Sequence, residues 1–318
     1  TNINYDENSA THLIVNNPLV SVKMITYNQK PYIRKAIDSI LKQKTDFNYE
    51  ICLGEDDSSD GTRELCREYA AKYPDKIRLF ERDRQDPSRE GCAGVWQFNY
   101  IETLRACRGK YIALCDGDDY WSNEYKLQKQ VDYLENHPEL SGCFHKVGQV
   151  DENDKIICPD MGYPPIRKEQ YSLDYLLQYG VFSPVLSVVF RNRDEIAPDW
   201  FKKSLVGDIL LHTGNLLHGD YGFIDEVMGY YRIHSQGLAS GSPRLEVVKI
   251  TIQAYRLMGE HYGISQRKAY RQGLRTLHLS YAIESVLCWC LPKKLKQKFD
   301  LGAGRYYRSL ARRFLSGF

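Results

Sequence analysis

From Val20 the chain alternates short apolar runs with amphipathic stretches. Residues 20–26 carry the pattern of a buried strand, and Pro31 suits the first turn of a helix over 31–42. Ile33, Ile37 and Leu41 recur at i, i+4 and i+8, which gives that helix one apolar face. A strand at 50–53 and a turn at 57–61 lead into a helix over 62–72, with Asp60 as its N-cap and Pro74 closing it. Strands at 77–80 and 111–115 enclose a polar loop, 81–94, and a helix over 95–106. This βαβαβαβ order predicts an α/β fold, a mostly parallel sheet with helices on both faces. Such sheets bind ligands at the carboxyl ends of their strands, so the chemistry is expected just after them.

Further along, the pattern predicts a helix at 123–136 and a strand at 142–150, then an irregular segment marked by Pro159, Pro164 and Pro165. Strands at 185–190 and 222–231 follow, with a helix at 206–217 between them. From Ser242 the pattern is helical, amphipathic and basic. The chain divides into an extension at 1–19, an α/β domain at 20–241 and a helical basic region at 242–318.

Composition adds few constraints and removes several classes. At 318 residues, 42% hydrophobic and 26% charged, the chain lies in the globular range and is long enough to bury a large core. No run of eighteen apolar residues occurs, and residues 1–8 lack a basic region followed by an apolar one, so neither a membrane span nor a signal peptide is expected. Nine cysteines at irregular positions fit neither a disulfide framework nor a zinc ribbon, which suggests a reducing cytoplasm. Charge is uneven. Residues 243–318 hold 15 Lys and Arg against 4 Asp and Glu, a net of +11 on a body of −9. A basic tail fits an anionic lipid surface or simply a solvated helical face.

Candidate chemistry concentrates where strands end. Asp116, Asp118 and Asp119 place three carboxylates in four residues directly after the strand at 111–115. Such a cluster calls for a cation, and an all-oxygen set suits Mg²⁺ or Mn²⁺; the plainer reading is a solvated acidic turn. Glu55, Asp56, Asp57 and Asp60 form a second acidic strand end, which would face the same crevice. Thr26, Tyr27 and Asn28 end the first strand and offer an aromatic ring with polar neighbours, suited to stacking on a flat base. Arg82, Arg84 and Arg89, in the polar loop, are placed to reach phosphates, although a solvated charge run is the plainer reading.

Taken in order, residues 20–28, 55–62, Asn99 and 109–119 resemble the inverting family 2 glycosyltransferases, which have the GT-A fold. The resemblance covers about 130 residues well and reaches more loosely to about residue 240. It implies that 20–122 is a nucleotide-sugar half and 123–241 an acceptor half. It further implies that Tyr27 stacks on the donor base and Asp56 bonds its edge, within a nucleotide site of Thr26, Tyr27, Asn28, Asp56, Asn99, Asp116 and Gly117. Asp116 would then hold the ribose, and Asp118 a metal bridging the diphosphate, with Asp119 as the alternative ligand. Asp208 matches the general base, although helix capping would equally explain it. Arg232 and His234 match a loop that closes over the diphosphate. His234 reads as a metal or phosphate contact or as a satisfied loop histidine, and Trp121 as a sugar or acceptor contact or as core. Two departures stand out: Glu55 and Asp57, where the family usually has Asp and often Gly.

The resemblance implies a metal-dependent enzyme that moves a sugar from a nucleotide-sugar, a UDP-sugar first, to a hydroxyl of a glycan or lipid-linked glycan in bacterial surface-polysaccharide assembly. A sugar nucleotidyltransferase would want a Gly-rich phosphate loop after the first strand, and residues 27–30 offer none. A nucleotide-sugar-binding protein without catalysis is the non-enzymatic alternative. Nucleic-acid binding would rest on the tail alone and is not expected. Apolar and aromatic residues at 287–292 beside Lys293, Lys294, Lys296 and Lys298 suit a helix lying on the inner face of a membrane, or a homo-oligomer contact.

Overall fold

The computed structural model describes residues 6–7, 17–162, 167–235 and 243–290. Its strands are β1 (Asp6–Glu7), β2 (Val20–Thr26), β3 (Tyr49–Glu55), β4 (Ile77–Glu81), β5 (Tyr111–Leu114) and β6 (Tyr120–Trp121), then β7 (Gly142–Val150), β8 (Ile156–Cys158), β9 (Gln170–Tyr171), β10 (Val189–Arg191) and β11 (Tyr221–Arg232). The helices are α1 (Lys30–Leu41), α2 (Thr62–Lys72), α3 (Val95–Ala106), α4 (Lys126–Asn136), α5 (Leu173–Tyr179), α6 (Gly207–Leu216), α7 (Arg244–His261) and α8 (Lys268–Cys290).

One sheet runs β1-β4-β3-β2-β5-β10-β7-β11-β6, with β8 beside β7 and β9 beside β11. β4, β3, β2 and β5 are mutually parallel, as the alternating pattern predicts, so their carboxyl ends share one rim. β10 then enters antiparallel between β5 and β7, and β11 returns parallel to β7. Two apolar layers cover the faces. Ile33, Ile37 and Ile40 of α1 pack with Val20, Val22 and Met24 on one side, joined by α2 and α4. Ile101 and Leu104 of α3, with α5, α6 and α7, cover the other. The C-terminal helices belong to that second layer. Tyr255 bonds the Leu177 carbonyl at 2.8 Å, and Gly273 brings α8 so near α5 that a Cβ there would overlap that carbonyl.

Three boundaries depart from the pattern. β3 continues through Glu55 because its carboxylate is buried against its own loop, accepting from the backbone of Asp57 and Ser58 and pairing with Arg63. Residues 185–190 split into a 3₁₀ turn and the short β10. α5 was hidden by the prolines before it, yet Leu173, Leu176 and Leu177 give it a buried face. The proline positions Pro164 and Pro165, residues 236–242 after the Arg232 and His234 loop, and the basic tail beyond Cys290 lie outside the described residues. Among the described residues no helix is long and apolar enough to cross a membrane.

Lys126, at the start of α4, is fully buried; its Nζ lies 3.9 Å from the centre of the Trp121 ring and meets no hydrogen-bond acceptor among the described residues. Burial pulls this amine down to about 7. The folded chain therefore binds fewer protons than the unfolded chain between about 7 and 10.5, and stability should climb with pH across that window. Lys126→Met should raise stability near neutrality and flatten the climb by up to about 1.4 kcal/mol per pH unit, read from urea midpoints over that window.

Candidate active site

Three strand ends interlock at the rim of the parallel strands. Asn28 and Asp57 take left-handed backbone at φ 48° and 67°, conformations that Asn and Asp tolerate better than most residues. This turns the two loops toward each other. The Asn28 backbone donates to Ser58 Oγ at 2.9 Å, and Ser59 returns a bond to Asn28 Oδ1 at 2.9 Å. Asp60 accepts from the first turns of two helices, Lys30 of α1 at 3.0 Å and Thr62 of α2 at 2.9 Å. The acidic loop after β5 packs onto the same loop: a Cβ at Gly117 would lie 2.8 Å from Thr26 Oγ1 and 2.6 Å from Gln29 Oε1. Thr26 and Gly117 are thus shape partners that set the spacing between the first and third strand ends.

At the second strand end Asp56 is 1% exposed. Its Oδ1 accepts from Arg89 at 2.7 Å and its Oδ2 from Arg84 at 3.0 Å. The Arg84 guanidinium also lies over Tyr27, 3.2 Å from the ring centre. The expectation of a solvated arginine run fails here. Arg89 is buried because a carboxylate withdrawn from water, Asp56, needs its counter-charge brought in with it, and Arg82 is buried beside Asn99. Tyr27 is 40% exposed, so part of its surface still faces solvent.

The acidic triplet is held from three sides. Asp116 Oδ1 lies 3.2 Å from Lys23 Nζ. Asp118 Oδ2 lies 2.9 Å from His234 Nε2, and the His234 ring packs 5.0 Å from that of Tyr32. Asp119 is 3% exposed and its Oδ1 accepts from the Arg232 backbone at 2.9 Å, so it faces the protein. The Arg232 side chain donates to the Asp118 and Asp151 carbonyls, each at 2.9 Å, and to Asp154. The end of β11 therefore clamps the triplet. Burial raises the Asp116 and Asp119 carboxyls above their ordinary range, and for Asp119 the neighbouring Asp118 adds to the rise. Among the described residues no three His, Cys, Asp or Glu side chains converge as a ready ligand set.

Asp208 opens α6, its Oδ1 accepting from the Ile209 backbone at 2.8 Å. Burial lifts its carboxyl, Asp116 adds to the lift and Lys23 opposes it. Two expected site residues turn inward instead. Asn99 is 1% exposed and holds the Gly54 carbonyl at 2.9 Å, because the missing side chain of Gly54 lets α3 press against β3. Trp121 is 4% exposed, its Nε1 bonded to the Leu186 carbonyl at 3.0 Å, which makes it core. Sequence reasoning missed Lys23; its signal was a charged residue inside an apolar strand.

The family model described as glycosyl transferase family 2 matches residues 21–191. An uncharacterized protein of Mycobacterium tuberculosis is 36% identical over 228 residues, 69% of this chain and 60% of that protein. An uncharacterized glycosyltransferase of Nostoc sp. is 28% identical over 222 residues, 68% of this chain and 65% of the relative. The chain spans less than two thirds of the length of these relatives. Among solved structures, residues 1–349 of S. aureus TarS in complex with UDP-GlcNAc align with a TM-score of 0.60 at 15% identity, covering 90% of this chain and 79% of that one. The mannosyltransferase PcManGT of Pyrobaculum calidifontis, in complex with GDP-Man and Mn²⁺, aligns at 0.53 and 16% identity, covering 97% and 90%. At such identity these likenesses bear on the fold alone, which is the GT-A fold expected from the motifs. With more than half of its length matched by the family model, the chain belongs to glycosyltransferase family 2.

Proposed function

We propose that the chain is an inverting, metal-dependent glycosyltransferase that takes a nucleotide-sugar, a UDP-sugar first, and glycosylates a hydroxyl of a glycan or lipid-linked glycan in surface-polysaccharide assembly. The observation that carries this is the convergence on one rim of an aromatic ring (Tyr27), a carboxylate–imidazole pair (Asp118 and His234, 2.9 Å apart) and a separate helix-opening carboxylate (Asp208). Tyr27 offers the face for the base, with Arg84 either displaced or stacked on its far side. Asp56, 1% exposed with one oxygen held by Arg89 and the other by Arg84, acts on the base through Arg84 rather than by touching its edge. Asp116 meets the ribose. Asn99, Trp121 and Asp119 act as supports behind these groups.

Asp118 Oδ2 and His234 Nε2 would hold a divalent ion; the oxygen–nitrogen pair suits Mn²⁺, whereas Mg²⁺, which prefers oxygen ligands, would rest on the Asp118 carboxylate. When bound, that ion neutralises charge on the departing diphosphate. Arg232 holds the loop beneath it. Asp208 takes the proton from the acceptor hydroxyl as its oxygen attacks the anomeric carbon, and the bond to the diphosphate oxygen breaks in the same displacement. Its raised carboxyl makes it a stronger base than an ordinary Asp. The basic residues beyond Cys290 would bring the enzyme to an anionic membrane surface, where a lipid-linked acceptor resides.

Thermal shift with UDP, GDP, TDP and CDP, each with and without Mn²⁺, should give stabilisation by one nucleotide that needs the metal and disappears in Asp118→Ala. No shift with any of them would remove the donor site. Asp208→Asn should keep that nucleotide stabilisation and lose about 10²–10⁴-fold in turnover. In the wild type the acid limb of kcat/KM should lie above the ordinary aspartate range, since burial raises this carboxyl. A limb at the ordinary value, or full turnover by Asp208→Asn, would take Asp208 out of the base role.

A further inference from the structure

Lys23 lies in mid-β2 between Val22 and Met24, both fully buried, and is itself 0% exposed. An ammonium removed from water is costly unless something compensates it. Two groups do so. Asp116 Oδ1 lies 3.2 Å from its Nζ, and the Tyr100 ring centre lies 4.1 Å away. Tyr100 comes from α3; its hydroxyl is buried and finds no hydrogen-bond partner among the described residues. Gly207, directly before Asp208, lies against that ring, and a Cβ there would come within 2.9 Å of it. Lys23, Tyr100, Asp116 and Asp208 therefore form one cluster joining β2, α3, the end of β5 and the start of α6.

The arrangement differs from the buried ion cluster around Glu50 on the neighbouring strand β3. Glu50 is enclosed by Ser21, Arg78 and Arg108 and is fully buried. Lys23 meets a carboxylate whose side chain stays 30% exposed toward the crevice, so the pair has one end in the core and one in the site. The Tyr100 ring links this pair to the start of α6, since Lys23 Nζ lies over one part of it and Gly207, next to Asp208, packs against it.

We infer that Lys23 is a positioning residue for the transfer: it holds Asp116 at the crevice floor in the orientation that meets the donor. This rests on the donor-site reading above and adds a residue that acts through Asp116 without touching substrate.

The test is a double-mutant cycle on the full chain: wild type, Lys23→Met, Asp116→Asn and the double variant. UDP and GDP affinities are measured calorimetrically with Mn²⁺ present, and melting temperature is followed alongside. Lys23→Met should weaken the bound nucleotide by about 10-fold, the loss expected for one charge-assisted hydrogen bond, and should also lower the melting temperature of the free protein, because Asp116 loses its partner; the coupling in the cycle, not the melting temperature, is the readout. The double variant should bind no more weakly than Asp116→Asn alone. Unchanged affinity in Lys23→Met, or losses that simply add, would overturn the proposal. If Lys23→Met does not fold, Lys23→Gln carries the same test, and affinity equal to wild type would again overturn it. Wild type that binds neither nucleotide would instead remove the donor site, and this proposal with it.

Discussion

Carboxylates gathered at one rim of a parallel sheet repel one another and resist leaving water, and each must find positive charge or hydrogen-bond donors nearby. Much of the architecture around the crevice answers that constraint. Lys23 rises from inside β2 to Asp116, His234 reaches Asp118, and the Arg232 backbone caps Asp119. Arg84 and Arg89 fold in from the loop after β4 to hold Asp56, while Arg63 pairs with Glu55. The carboxylates of the rim are thus neutralised largely from the protein side.

Topology brings these partners together from distant parts of the chain. The parallel order β4-β3-β2-β5 puts the first three acidic or aromatic strand ends side by side. β11 reaches the rim from the far side of the sheet, and the antiparallel β10 makes room for it by spacing β7 away from β5. Close approaches fix the fine spacing. Gly117 seats the triplet on the Thr26 loop, and Asp60 ties α1 to α2.

The first half of the fold was legible because each strand and helix there has a period of its own and a turn signal at its end. Residues 20–26, 62–72, 95–106 and 142–150 appear with the boundaries expected. The strand ends that carry Tyr27, Asp56 and Asp116 were legible for the same reason. The partners were not. Arg84 and Arg89 look like a solvated run until Asp56 is found buried beside them, and Lys23 looks like an interruption until Asp116 is found above it. Asn99 and Trp121 stand in the right motifs, yet their side chains are committed to the Gly54 and Leu186 carbonyls. Such pairings depend on contacts across 93 residues for Lys23 and Asp116 and 116 for Asp118 and His234, which periodicity does not encode.

The central claim is that Asp118 and His234 form the metal end of a donor site whose base end is Tyr27. The most direct measurement is diffraction from crystals soaked with UDP or GDP and Mn²⁺, with anomalous data collected at the manganese edge. The expected result is one anomalous peak in coordinating contact with the Asp118 carboxylate and His234 Nε2, and density for the base against the Tyr27 ring. A peak confined to other carboxylates, or a nucleotide bound with its base away from Tyr27, would contradict it.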